Sequence, residues 1–178
     1  MRTKFTIILL LLAILNFSCH DDTKVKRVLL DYTFDNGWTN SYSIKIYTDG
    51  AAYLKKSTLR VDSFYSNQIN AEKLNQIVRK LREAKIDSKY EDTHIQDASS
   101  FNVIVYDESA KPSKYQVYGN KYPEILNNIK NYVETFSKQK DWHQLKDTMI
   151  TFSSFTNFRT TPKMDTSLKF LPPKTPKK

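Results

Sequence analysis

The sequence predicts an α+β fold: an antiparallel sheet of about four to six strands packed against two helices, in the order strands, helix, hairpin, helix, with a mostly irregular C-terminal tail. Three observations carry that expectation. Apolar and polar residues alternate through Val28 to Asp35 and again through Ser41 to Thr48, the period of a strand with one buried face. Asp49-Gly50 follows at once, a pair suited to the positive φ of a tight hairpin loop. Apolar residues then recur at helical spacing in two places, Leu74 to Leu81 and Ile125 to Phe136.

In the first strand Leu30, Tyr32 and Phe34 share one face, and Leu29, Asp31 and Thr33 the other; Asn36 to Asn40 breaks it. In the second, Tyr42, Ile44 and Ile46 point inward while Ser43, Lys45 and Tyr47 point out. A two-residue loop at Asp49-Gly50 pairs Thr48 with Ala51, Tyr47 with Ala52 and Ile46 with Tyr53. Leu54 to Asp62 continues and turns, and Phe64 to Ile69 adds a short piece. Asn70 is a good N-cap for a helix whose stripe is Leu74, Ile77, Val78 and Leu81. Ile86 to Ser100 lacks periodicity and reads as an acidic loop. Phe101 to Tyr106 and Lys114 to Tyr118 form the second strand pair around Pro112. Pro123 then suits the first turn of a helix buried through Ile125, Leu126, Ile129, Tyr132, Val133 and Phe136. Met149 to Phe158 alternates loosely and is a candidate edge strand. Pro162, Pro172, Pro173 and Pro176 leave the tail few chances for regular structure.

Length and charge narrow the classes of function. Of the 178 residues, those left after a removable leader suffice for one domain with one core. The net charge of +9 is concentrated at the end, where Arg159, Lys163, Lys169, Lys174, Lys177 and Lys178 face only Asp165. The body is close to neutral, which gives no support to a nucleic-acid surface. One cysteine excludes an internal disulfide, so packing must carry stability.

That cysteine closes the leader. Arg2 and Lys4 precede an apolar run from Phe5 whose core, Ile7 to Leu15, is all Ile and Leu except Ala13; Leu15-Asn16-Phe17-Ser18-Cys19 ends it, and His20-Asp21-Asp22 is abruptly polar. The run is short of the roughly 20 residues a membrane span needs, so it reads as a cleaved secretory signal. The stretch resembles the lipobox of bacterial lipoproteins. That resemblance implies that the Cys19 thiol receives a diacylglyceryl group, that cleavage falls just before it, and that the new amine is acylated. Residues 1–18 are then signal peptide, 19–27 a tether, 28–146 a single α+β domain, and 147–178 an extended or disordered basic tail. The protein is expected at the cell envelope, on the periplasmic or surface face of the outer membrane.

A second resemblance rests on Ser41 to Gly50, Tyr53, Val103 to Tyr106 and Tyr122-Pro123-Glu124-Ile125-Leu126. Over roughly Val28 to Phe136 these look like an uncharacterised family of small lipoprotein-borne domains of unknown function. The resemblance implies a fold and no catalytic residues.

Candidate chemistry is sparse. His94 with Asp92 and Asp97 offers imidazole and carboxylate for a metal or a hydrolase, but without diagnostic spacing. Glu91 to Ser100 lacks the order of a calcium loop, Ser99 and Ser100 sit in no Gly-x-Ser-x-Gly elbow, and three glycines make no phosphate cradle. The expectation is therefore no catalytic site, no metal and no cofactor. Trp38, Tyr47, Tyr106 and Tyr118 fall at outward or loop positions and are the candidate partner surface, against a plainer role as cover for the second sheet face. The expected function is a monomeric, lipid-anchored binding module whose partners are the membrane, through Cys19, and an envelope protein or polymer. The alternatives are an immunity-type or inhibitor lipoprotein, and an envelope hydrolase or metal-dependent enzyme built on His94.

Overall fold

The first strand of the chain ends up in the interior of the sheet, with Leu30 and Tyr32 fully buried on one face and Asp31 and Thr33 fully buried on the other. The computed structural model describes residues 26–37, 40–58, 61–92, 94, 98–146 and 150–154. In chain order the elements are β1 (Val28–Asp35), β2 (Ser41–Tyr47), β3 (Ala51–Ser57), β4 (Asp62–Gln68), α1 (Glu72–Glu83), β5 (Lys89–Glu91), β6 (Ser100–Tyr106), β7 (Pro112–Tyr118), α2 (Glu124–Ser137) and β8 (His143–Leu145). The strands form one sheet in the order β5-β7-β6-β1-β2-β3-β4-β8.

The expected α+β class with two helices is what the chain adopts, but the sheet has eight strands, not four to six. The additional strands include β5 and β8, three residues each, too short to show any period. β5 lies within the stretch read as a loop and runs parallel to β7, so the sheet is mixed and not purely antiparallel. β8, not the stretch from Met149, pairs with β4 at the other margin. Residues 150–154 form no strand; the rest of that candidate strand lies outside the described residues.

One face of the sheet packs on both helices. Leu74, Val78 and Leu81 of α1 and Leu126, Ile129, Val133 and Phe136 of α2 are buried against Leu30, Tyr32, Ile44, Ile46, Leu54, Val103, Val105 and Val117. Both helical stripes are those the periodicity predicts, with Ile77, Ile125 and Tyr132 half-buried at their edges. An aromatic row closes one end of this core: Phe34 meets Tyr42, Tyr42 meets Tyr32, and Tyr32 stacks on Phe101 with ring centroids 5.7 Å apart. Burial pushes the Tyr32 and Tyr42 hydroxyls well above the ordinary tyrosine range.

The hairpin forms where Asp49-Gly50 places it, with a register one residue from the expected one. Ile46 lies opposite Ala52 and Lys45 opposite Tyr53. The loop has three residues: the Gly50 N–H donates to the Tyr47 carbonyl at 3.0 Å, Gly50 takes φ 84°, and Asp49 Oδ1 accepts the Ala51 N–H. Such a loop is the next most common hairpin connection after the two-residue kind. The core decides between them. A shift of one residue would turn Tyr53 and Lys55 toward the helices, whereas the observed pairing buries Ala52 and Leu54 completely.

Asn70 caps α1 through its side chain, Oδ1 accepting the Glu72 N–H at 2.9 Å, although the helix proper starts after Ala71. Asn70→Ala should cost about 1 kcal/mol, the usual loss for a removed cap. A urea midpoint that does not move would show that this bond contributes nothing.

Candidate functional site

The face turned away from the helices should be open water in a two-layer fold, and alternation puts polar residues there. On the central strands it is closed. Register places Lys45, Asp31 and Ile104 side by side on β2, β1 and β6, and Ser43, Thr33 and Asn102 in the next row. Over these two rows lies the segment 150–154. Asp31, Thr33 and Ser154 are fully buried, and Ser43, Lys45, Asn102 and Phe152 nearly so.

Every polar side chain named in this strip has a partner. Lys45 Nζ stands 3.5 Å from Asp31 Oδ2 and donates to the Thr151 carbonyl. The Ser153 N–H donates to Asp31 Oδ2 at 2.7 Å, and the Ser154 hydroxyl donates to Asp31 Oδ1. Thr33 Oγ1 is 2.7 Å from both Ser43 Oγ and Ser154 Oγ. A hydroxyl carries one proton, so with the Ser154 proton committed to the carboxylate, the chain of donation runs from Ser43 to Thr33 to Ser154 to Asp31. Asn102 Nδ2 donates to the Ser154 carbonyl at 3.1 Å, and the Lys45 ammonium lies 5.5 Å from the Phe152 ring centroid. A buried charge is tolerated only when paired and hydrogen-bonded, and here both conditions hold. With its oxygen enclosed and its proton held, Ser154 is placed to bind and not to attack.

The candidate tyrosines do not form one patch. Tyr47, at the end of β2, meets Tyr53 edge-on at 5.8 Å, and Lys26 Nζ sits 4.7 Å from the Tyr47 centroid and 3.6 Å from Asp49 Oδ2. Burial raises the Tyr47 hydroxyl above its ordinary value. Tyr106 ends β6 opposite Pro112, whereas Tyr118 lies at the far end of the same strand pair, opposite Ser100, where its hydroxyl accepts the Ala98 N–H. All three tyrosines are half-buried. Cys19 and Trp38 lie outside the described residues.

His94 and Asp92 meet only through the main chain. The His94 N–H donates to Asp92 Oδ1 at 3.3 Å, and the exposed imidazole takes no part. Asp92 is itself nearly buried, its other oxygen 3.7 Å from Lys121 Nζ. Asp97 lies outside the described residues, and among those described no three His, Cys, Asp or Glu side chains gather as a metal site would require.

Two open grooves lie on the helical side. One, of about 770 Å³, runs between α1 and α2 over Ile77, Ile125, Tyr132 and Phe136, with Asn70, Asn128, Asn131 and Gln139 along its rim. The other, of about 690 Å³, lies between the hairpin tip and α1 and is lined by Asp49, Glu72, Arg79, Arg82 and Glu108 among others.

Sequence reasoning assigned Asp31, Thr33, Ser43, Lys45 and Asn102 to no site, and left Ser154 in the tail. A signal existed. Pairing Asp35 with Ser41 across the β1–β2 turn brings Asp31 opposite Lys45, an acid and a base on adjacent interior strands. What could not be read was that a segment more than a hundred residues later would cover them. No protein-family model matches the chain, and no curated protein or solved structure matches it either. Among the described residues, no helix is long and apolar enough to cross a membrane.

Proposed function

We propose that the protein is a lipid-anchored binding module of the cell envelope, held to the membrane through Cys19 and acting by contact with an envelope protein or polymer. The observation that carries this reading is the single cysteine at the end of an Ile/Leu run preceded by Arg2 and Lys4. Acyl chains contribute ~0.8 kcal/mol per buried methylene, so two or three of them make a lasting anchor. Lys26 follows Cys19 by seven positions, and seven residues span at most about 25 Å, so the folded body stays close to the bilayer it is tied to. Binding is favoured over catalysis because the buried ionisable pair, Asp31 and Lys45, is consumed by internal bonds. The groove between the helices, apolar in its floor and amide-rich at its rim, is an open concave surface suited to a polymer or peptide.

The test is the intact mass of the mature protein from its native membrane, for wild type and Cys19→Ala. The expected wild-type mass corresponds to cleavage before Cys19 plus acyl chains, and the variant lacks that addition. A wild-type mass without lipid overturns the anchor. Pull-down of the anchored protein from envelope extract should then return one stoichiometric partner.

A further inference from the structure

We infer that the polar strip on the second sheet face is a binding slot for a short peptide, occupied here by the chain's own residues 150–154. The reading is independent of the anchor: it holds whether or not Cys19 carries lipid.

The slot is built entirely from side chains of β2, β1 and β6. Those strands are paired on both sides by their neighbours, so the two rows are fixed in place by the sheet and not by the segment lying on them. The occupant, by contrast, contributes no strand and pairs with no neighbour through a ladder. Its hold is made of groups that read a peptide. Three main-chain groups within four residues are engaged: the Thr151 carbonyl by Lys45, the Ser153 N–H by Asp31, and the Ser154 carbonyl by Asn102. Two side chains are engaged as well, Phe152 beneath the Lys45 ammonium and Ser154 between Thr33 and Asp31.

The pattern that fits follows from those contacts. The third side chain of the triplet must both donate to a carboxylate and accept from a hydroxyl in a space with no exposure, which specifies serine and excludes alanine and anything large. The first must be apolar and able to lie under an ammonium. The middle residue, Ser153, is exposed, and its N–H donates to Asp31 Oδ2. The slot therefore takes a short peptide with an apolar residue two places before a serine, the serine set in a turn. Because the covalently linked segment is present at an effective concentration of the order of millimolar, it keeps out an equally well-fitting competitor at any concentration well below that. A partner carrying the same pattern enters only when the cis segment is weakened or outmatched.

The probe is a fluorescent peptide with the sequence of residues 148–158, titrated by anisotropy onto the full-length chain. Wild type should bind it about 100-fold more weakly than a Phe152→Ala/Ser154→Ala double variant, in which the occupant is weakened and the slot is intact. Adding Asp31→Asn to that variant, or replacing the serine at position 154 of the peptide by alanine, should each lower binding by about tenfold. Equal binding to wild type and to a double variant whose circular dichroism is native overturns the proposal. Should the double variant fail to fold, a chain with a protease site inserted between Lys146 and Ile150 decides the matter after native cleavage. The C-terminal fragment should stay with the body on size exclusion and exchange with the labelled peptide; loss of the fragment without uptake of the peptide, or retention without exchange, overturns the slot.

Discussion

Asp31→Ala should destabilise the domain by about 3–5 kcal/mol, the range for breaking one partner of a buried pair. The carboxylate is fully enclosed and receives three donors, the Lys45 ammonium, the Ser153 N–H and the Ser154 hydroxyl. Removing it strands a cation that is itself only 8% exposed, together with the Ser153 N–H and the hydroxyl of the fully buried Ser154. The opposite deletion is milder. Lys45→Met leaves the carboxylate with both neutral donors and replaces the ammonium by a side chain that can lie along Phe152. The double variant Asp31→Ala/Lys45→Met should accordingly recover part of the loss, since removing both charges together is often close to neutral. Urea denaturation of the four chains gives the cycle directly. A single-variant cost below about 1 kcal/mol would mean that water already reaches the pair.

Gly50→Ala is expected to be comparably severe, about 2–6 kcal/mol, for reasons that involve no charge. Gly50 has φ 84°, a conformation in which a non-glycine residue costs about 1–3 kcal/mol. A Cβ there would also lie 2.2 Å from the Ile69 carbonyl oxygen and 2.8 Å from Gln68 Nε2. Relief by moving apart is barred, because the Gly50 carbonyl accepts the Ile69 N–H at 2.9 Å and that bond ties the hairpin tip to the end of β4. Overpacking adds a further ~1–3 kcal/mol. Thermal melting of the variant should show the loss, and an unchanged midpoint would mean that the tip and the entry to α1 are not coupled as the hydrogen bond implies.

Periods were legible and one-off contacts were not. β1, β2 and both helices announce themselves through apolar spacing, because each must bury a face, and the faces so deduced are the ones that pack. The hairpin was legible as a place but not as a register. Asp49-Gly50 is compatible with loops of two or three residues, and only the need to bury Leu54 in preference to Lys55 selects between them. β5 and β8 were invisible for a simpler reason: Lys89-Tyr90-Glu91 and His143-Gln144-Leu145 are held by a neighbour's open edge and have no pattern of their own. The site was the least legible part. Alternation assigned Asp31, Thr33, Ser43 and Lys45 to the outward face correctly, yet outward proved not to mean solvated. Of the tyrosines singled out as a partner surface, Tyr47 and Tyr106 lie at one end of the sheet and Tyr118 at the other, and Tyr47 is engaged by Lys26 and Tyr53.

The position of the covering segment also sets the order in which the protein can be finished. β2, β3 and β4 form a local meander that can assemble as soon as its residues are present, since each strand meets the next in sequence. β1 cannot gain its second neighbour until β6 exists, and Asp31 waits longer still, for donors 122 and 123 residues downstream. Loop closure over such spans is slow relative to local pairing. A chain still being synthesised or passed across a membrane N-terminus first therefore carries its acid and base side by side on an uncovered face, solvated and inexpensive. Their enclosure waits for Ser154, which follows both helices in the chain.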